Sequence, residues 1–291
     1  MKHLRIWSIS LCLVLAFACT KKPDDTASNE EPPVPVDKSL NLLAAGESAN
    51  DILSNNKYSK IKVEIAHVVG FKPTQIAMDE FVNYLKTYTF KEDVEMVFRE
   101  LPSPDEENLT IQEIADLEEE NRTVYNSGDT LGVYIYFADS PSESDDEEEG
   151  LVTLGAVYRN TTMIIHEVTI RKLASLSSAI SVADVETATI NHEFGHLFGL
   201  VNLGTVPVND HEDDESDNHC DIPGCLMRAE LQFGGSGKSS KVTSENGLKS
   251  SCSLTGYSMM KMLEKSTSKG FLQAVPLDAE CILDLKSNGG R

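Results

Sequence analysis

The stretch NHEFGHLFGLVN, residues 191–202, constrains this chain more than any other. On an α-helix, positions four apart differ by only about 40° of rotation, so His192 and His196 present both imidazoles from one face. That is two of the three protein ligands a catalytic zinc takes. Glu193 stands about 100° round the helix, where it cannot easily share the metal but can hold an activated water. A base beside a Lewis acid is the minimum for hydrolysing a peptide bond. A pair of core histidines is the bland alternative, but it has no use for an acid between the rings. The fold must therefore bring in a third ligand from elsewhere.

The surrounding pattern gives the scaffold. KIKVEIAHVV alternates and is rich in β-branched residues, PTQIAMDEFVNYLKTYT carries apolar residues at helical spacing, and DVEMVFREL alternates again, which predicts a strand, helix, strand unit. LTIQEIADLEEENRTVYN predicts a second helix, with Thr110 and Glu113 spaced as a capping box, and DTLGVYIYFADS a third strand. Such alternation builds a mostly parallel sheet flanked by helices. LVTLGAVYRNTTMIIHEVTI predicts two short strands joined at Arg159 to Thr161, one of them antiparallel, and an antiparallel edge strand near Leu154 to Tyr158 is a natural rail for a peptide. Ser181 is placed to cap the helix carrying His192, with Asp184 and Glu186 near its positive end and Gly199 near its close. Beyond residue 202 the chain is loop-rich until DAECILDLKSN, a terminal helix with Gly289 behind it.

HEFGHLFGLVN has the HExxHxxGxx spacing of the metzincins, in which the glycine lets the chain turn and a third histidine closes on zinc. Gly199 is in place, but Asn202 stands at the third position, and a neutral amide is a poor zinc ligand. Further on, HCDIPGCLM, residues 219–227, resembles the HCx4CxM string that in archaemetzincins follows HExxHxxGxx directly. Here an insertion, residues 201–218, separates the two halves, at little cost in loop closure. The resemblance implies a zinc metallopeptidase with His192, His196 and His219 as ligands, Glu193 as general base and Met227 as the Met-turn floor of the site. His211, nearer in sequence, is the rival third ligand.

The resemblance further implies an α+β, metzincin-like zincin fold: a mixed twisted sheet with an antiparallel edge strand, an active-site helix and an irregular C-terminal subdomain. It implies a protein or peptide substrate and a second, structural zinc on four cysteines; we read an endopeptidase ahead of an aminopeptidase, which the resemblance leaves open. Cys220, Cys225 and Cys281 align with three of those, Asp278 holds the fourth position and Cys252 lies elsewhere, so a second zinc and disulfides both stay open. His67 and His166 lack ligand spacing and are read as packing or surface residues. Tyr158 and Tyr257 are read as structural rather than as oxyanion donors.

The N-terminus reads as an export signal: Lys2 and Arg5, an apolar run from Ile6 to Ala18, then Cys19. The run is too short to span a bilayer. It resembles a bacterial lipoprotein signal, with residues 1–18 removed, Cys19 lipidated and the domain held on a membrane outside the cytosol. Residues 19–58 then form an acidic, proline-rich tether, and residues 59–291 a monomeric peptidase domain with an upper lobe, 59–201, and a lower lobe, 202–291. Net charge is -22, and loss of Lys2 and Arg5 makes the mature chain more acidic still, which excludes nucleic acid as a natural partner. The acidic runs 142–149 and 211–217 match no EF-hand loop and read as solvated. A reading from another class is a non-catalytic surface-binding lipoprotein with a structural zinc; Glu193 argues against it, since a structural site needs no base.

Overall fold

A computed structural model describes residues 36–146, 152–229, 260, 263 and 275–291. The signal, Cys19, Cys252, Tyr257 and acidic residues 147–149 lie outside these. The alternating segments form a five-stranded sheet of β1 (Lys60–Val68), β2 (Asp93–Leu101), β3 (Thr130–Ala138), β4 (Gly155–Arg159) and β5 (Thr162–His166), in the order β2-β1-β3-β5-β4. All neighbours are parallel except β4 and β5, which make an antiparallel pair at one edge with a register shift between Val157 and Arg159. The molecule is thus a mixed α/β fold with a mostly parallel sheet and an antiparallel edge strand.

Helices cover both faces. α2 (Gln75–Tyr88) starts where the Thr74 side chain accepts from the Ala77 amide, and α5 (Val182–Leu197) where Ser181 and Asp184 form a capping box. Both pack on the face carrying Ile61, Val63, Ile65, Val133, Ile135 and Phe137, where Phe81 of α2 meets Phe194 of α5 edge-on at 5.0 Å. α3 (Ile111–Asn121), opened by the expected Thr110–Glu113 capping box, covers the opposite face through Ile111, Ile114 and Ala115 against Tyr134 and Tyr136. Its buried Glu118 is held by Arg122 and Arg159, each at 2.7 Å, and accepts from the Thr162 hydroxyl at 3.0 Å, tying the helix to β4 and β5. Loss of both arginines would leave an uncompensated buried carboxylate.

Three expectations change. The second strand of the 151–170 pair ends at His166, and Glu167–Ala174 is a helix, α4, rather than more strand. Its Val, Thr and Ile favour strands in isolation, but an Arg171–Glu167 pair one turn apart and burial of Ile170 decide for helix. The expected tether to residue 58 is too long: Ser39–Asn41 form a 3-10 turn, Ala49–Leu53 a helix, α1, and Ile52, Leu53 and Tyr58 enter the core. Polar composition disguised this segment, because it is fixed by hydrogen bonds as much as by apolar burial. Thirdly, part of the acidic run 211–217 is not a bare solvated loop but the hairpin of β6 (Glu212–Asp213) and β7 (Ser216–Cys220). The terminal helix, α6 (Ala279–Ser287), is capped by Asp278 and followed by Gly289 at φ 94°. No helix among the described residues is long and apolar enough to cross a membrane.

Candidate metal centre

α5 delivers two of the three rings. The Nε2 atoms of His192 and His196 face each other at 3.2 Å, and His219 joins them so that one ring nitrogen of each lies within 4.8 Å of the others. Two ligands at about 2.05 Å from a tetrahedral zinc are about 3.3 Å apart. The helical pair already has the spacing of two ligands to one ion. His192 turns its other nitrogen, Nδ1, to the Leu226 carbonyl at 2.7 Å, and His219 turns Nδ1 to the Asp217 carbonyl at 2.8 Å. A carbonyl can only accept, so each Nδ1 carries the proton and each Nε2 keeps its lone pair for the centre.

His192, Glu193 and His196 are fully buried and His219 is 1 % exposed. Burial first, then the neighbouring rings, push His192 down to about 3 and His196 well below the usual histidine range; burial also lowers His219. All three are held neutral, the form that binds a metal. Glu193, next along the helix, packs its Cγ against Gly155 of edge strand β4. Met227 sits beneath: a β-carbon on Gly195 would lie only 2.3 Å from its Sδ. The Met227 turn is pinned by Cys220 N donating to the Met227 carbonyl and Leu226 N to the Pro276 carbonyl, both at 2.9 Å.

After Leu197 the chain turns through Gly199 at φ 75°, where a β-carbon would meet the Thr205 amide at 2.8 Å and Ala49 Cβ at 2.9 Å. Val201 and Asn202 follow at φ 53° and 63°, a conformation a β-branched residue adopts only under constraint. Asn202 is exposed and its amide donates to Glu212, so it belongs to the excursion and not to the three rings. The insertion then docks on α6: Val208 N donates to Asp284 Oδ1 at 2.7 Å and Asn209 to Glu280 at 2.6 Å. β7 brings the chain back. Successive residues of a strand point to opposite sides, and His219 goes to the three rings while Cys220 goes to a second cluster.

That cluster holds His211. His211, Cys220, Asp278 and Cys281 each offer a ligand atom within 4.8 Å of the others, and Cys225 Sγ lies 3.7 Å from Cys281 Sγ. Cys220 Sγ donates to Asp278 Oδ2 at 2.9 Å, and His211 contacts Cys220 Sγ at 3.4 Å through Nδ1 and Asp284 at 2.8 Å through Nε2. Burial would lower His211, but the Asp284 carboxylate and Cys220 together outweigh it and lift the ring to about 9. Hydrogen bonds from Cys220 and Cys281 draw Cys225 down to about 5. None of these three cysteines is in a disulfide.

The remaining candidates stand apart. His67 contacts the neighbouring Val68 carbonyl, and His166, lowered to about 4 by burial, contacts the Ser140 carbonyl at 2.9 Å. Tyr158 points into the α3 side of the sheet, away from α5. Sequence reasoning passed over Gly155 and Asp284. A lone glycine inside a strand was the available signal for the first; nothing local marks the second.

No family model matches the sequence, and no curated protein matches it. Among solved structures the chain is similar to an archaemetzincin from Methanopyrus kandleri, 12% identical, with 79% of this chain and 96% of that chain covered at a TM-score of 0.42.

Proposed function

We propose that the chain is a zinc-dependent metallopeptidase, an endopeptidase acting on protein or peptide substrates. The reading is carried by one observation: three buried, neutral imidazoles converge with ligand spacing beside a carboxylate on the same helix. The donor set fits zinc, since three nitrogen ligands leave a fourth tetrahedral position for water, and a site closed for structure alone usually has four protein ligands. His192, His196 and His219 would hold the ion, which supplies Lewis acidity and makes a water ionisable near neutral pH. Glu193 would be the base that accepts a proton from water at the site and returns it to the leaving amine. The Leu226 and Asp217 carbonyls hold two of the rings in the tautomer this needs. β4, last in the sheet, is the rail along which an extended substrate would pair.

The second cluster, with Cys220, Cys225, Cys281 and Asp278 beside His211, suits a structural zinc, for which thiolates are the natural donors. Export and lipid anchoring through Cys19 belong to the same proposal, as does action outside the cytosol as a monomer.

The test is elemental analysis of protein purified without chelator, joined to a peptide-library digest. Glu193→Ala should keep its zinc and lose turnover by about a hundredfold or more. His219→Ala should lose metal from the first site, whereas His211→Ala should disturb only the second. A chain that binds zinc but cleaves nothing would be a binding protein with a structural metal. A Glu193→Ala variant that cleaves as well as the parent would remove the assigned base.

A further inference from the structure

We infer that Gly155 is the positioning residue for Glu193: the missing side chain on edge strand β4 sets where the carboxylate of the active-site helix can lie. The inference rests on Glu193 being the base proposed above. Gly155 is opposite Ile165 in the antiparallel ladder, and the Leu154 carbonyl accepts from the His166 amide at 2.9 Å, so the backbone here is fixed on one side by the sheet. Along β4 the residues alternate: Ala156 and Tyr158 join the α3 side, Val157 the α5 side. A side chain at 155 would therefore emerge toward α5. Its φ is not positive, so the backbone would accept any L-residue, and only space demands glycine.

The space is already taken. A β-carbon at 155 would stand 2.8 Å from Glu193 Cγ, 3.1 Å from the Ile164 carbonyl oxygen and 3.2 Å from Ile165 Cδ1. Carbon atoms in contact prefer about 3.5 Å or more, so the tightest of these must open by roughly 0.7 Å. Ile164 belongs to β5, bonded between β3 and β4, and cannot retreat. The Glu193 side chain is the partner that can move. A shift of that size approaches the 1 Å misplacement that costs a catalytic group about a hundredfold in rate. The edge strand thus acts on the base through contact, while the helix supplies it.

The test begins with a double-mutant cycle read by urea denaturation on the full chain as purified. Gly155→Ala should lower the midpoint in the parent and lower it markedly less in a Glu193→Ala background, where Cγ is gone. Equal shifts in both backgrounds overturn the inference, as does failure of both alanine variants at 155 to fold; folding restored by Glu193→Ala supports it. On active protein, Gly155→Ala should keep its metal content, lose about ten- to a hundredfold in kcat/KM through kcat, and displace the pH midpoint of the cobalt-substituted visible spectrum. Adding Ile165→Val, which removes the contact at Cδ1, should not restore the rate. Restoration by that change would make the loss one of packing and overturn the inference. A parent chain with no peptidase activity sinks the hydrolase proposal instead, and leaves the cycle to report on the contact alone.

Discussion

At Gly195, between the two helical histidines, a β-carbon would lie 2.3 Å from Met227 Sδ and 3.0 Å from its Cε. Glycine in a helix interior ordinarily costs about 1 kcal/mol against alanine, so its presence here is explained by the thioether packed against the backbone. Gly195→Ala should destabilise the fold by about 1–3 kcal/mol through overpacking. In a Met227→Ala background the same change should be neutral or stabilising, because the helix gain is then unopposed. A urea-denaturation cycle with no coupling between the two positions would refute the contact. Residue by residue, the site was legible as far as local periodicity reaches: His192, Glu193 and His196 follow from 3.6 residues per turn. The third ring was not so legible, since His211 lies in the insertion and His219 directly behind it. What separates them is which side of β7 each neighbour faces and an Asp284 carboxylate far along the chain that holds His211 in the thiol cluster.

Between elements, α4 and α5 meet through a pair of carboxyls. Glu186 of α5 accepts from the Thr74 amide, at 3.1 Å to each oxygen, and from the Thr74 hydroxyl, while Glu167 of α4 takes the Arg171 guanidinium at 2.7 Å. Burial, followed by the charge of Glu186, raises Glu167 to about 8, and burial raises Glu186 as well. The sign follows from proton counting: between the ordinary carboxylate range and about pH 8 the folded chain holds a proton that the unfolded chain has lost, so stability falls as pH rises through that window and levels off above it. Glu167→Gln keeps the size of the side chain and cannot ionise. It should melt higher than the parent at pH 8–9 and close to it at pH 5; parallel melting curves over that range would dismiss the raised carboxyl. The same junction shows where element reading from sequence stops. α2, α3, α5 and α6 announce themselves by caps and apolar spacing, but α4 is written in β-branched residues and owes its helix to Arg171, which also donates to the Gly70 and Lys72 carbonyls.

Across the whole molecule, the segment from Lys38 to Tyr58 closes the fold, though its composition suggested a leash. The Asn41 side chain is fully buried: its Nδ2, with two protons to donate, lies 3.0 Å from each of Asn126 Oδ1, the Gly132 carbonyl and Thr161 Oγ1, and its Oδ1 accepts from the Asn126 backbone N–H at 2.9 Å. Asn160 reaches back to the Leu40 carbonyl and Ser48, and Asn50 holds the Asn288 carbonyl beyond α6 at 2.8 Å. Gly46 lies so close to Leu203 and Gly204 that a β-carbon would overlap the Leu203 carbonyl, and Ala49 packs on Gly199, where α5 turns into the insertion. The segment therefore braces the stretch that must leave the three rings at residue 199 and return with His219. A chain begun at residue 59 loses the burial of Ile52 and Leu53, worth about 1.5–3 kcal/mol each, and strands the polar groups that Asn41 satisfied, at about 1–3 kcal/mol apiece. Against a total stability of roughly 5–15 kcal/mol, that chain should fail to fold cooperatively and should bind no stoichiometric zinc. A chain begun at residue 36 keeps all of these contacts and is the reference. Thermal unfolding of the two truncations separates a tether from a brace: equal melting temperatures would return residues 36–58 to the role of a leash.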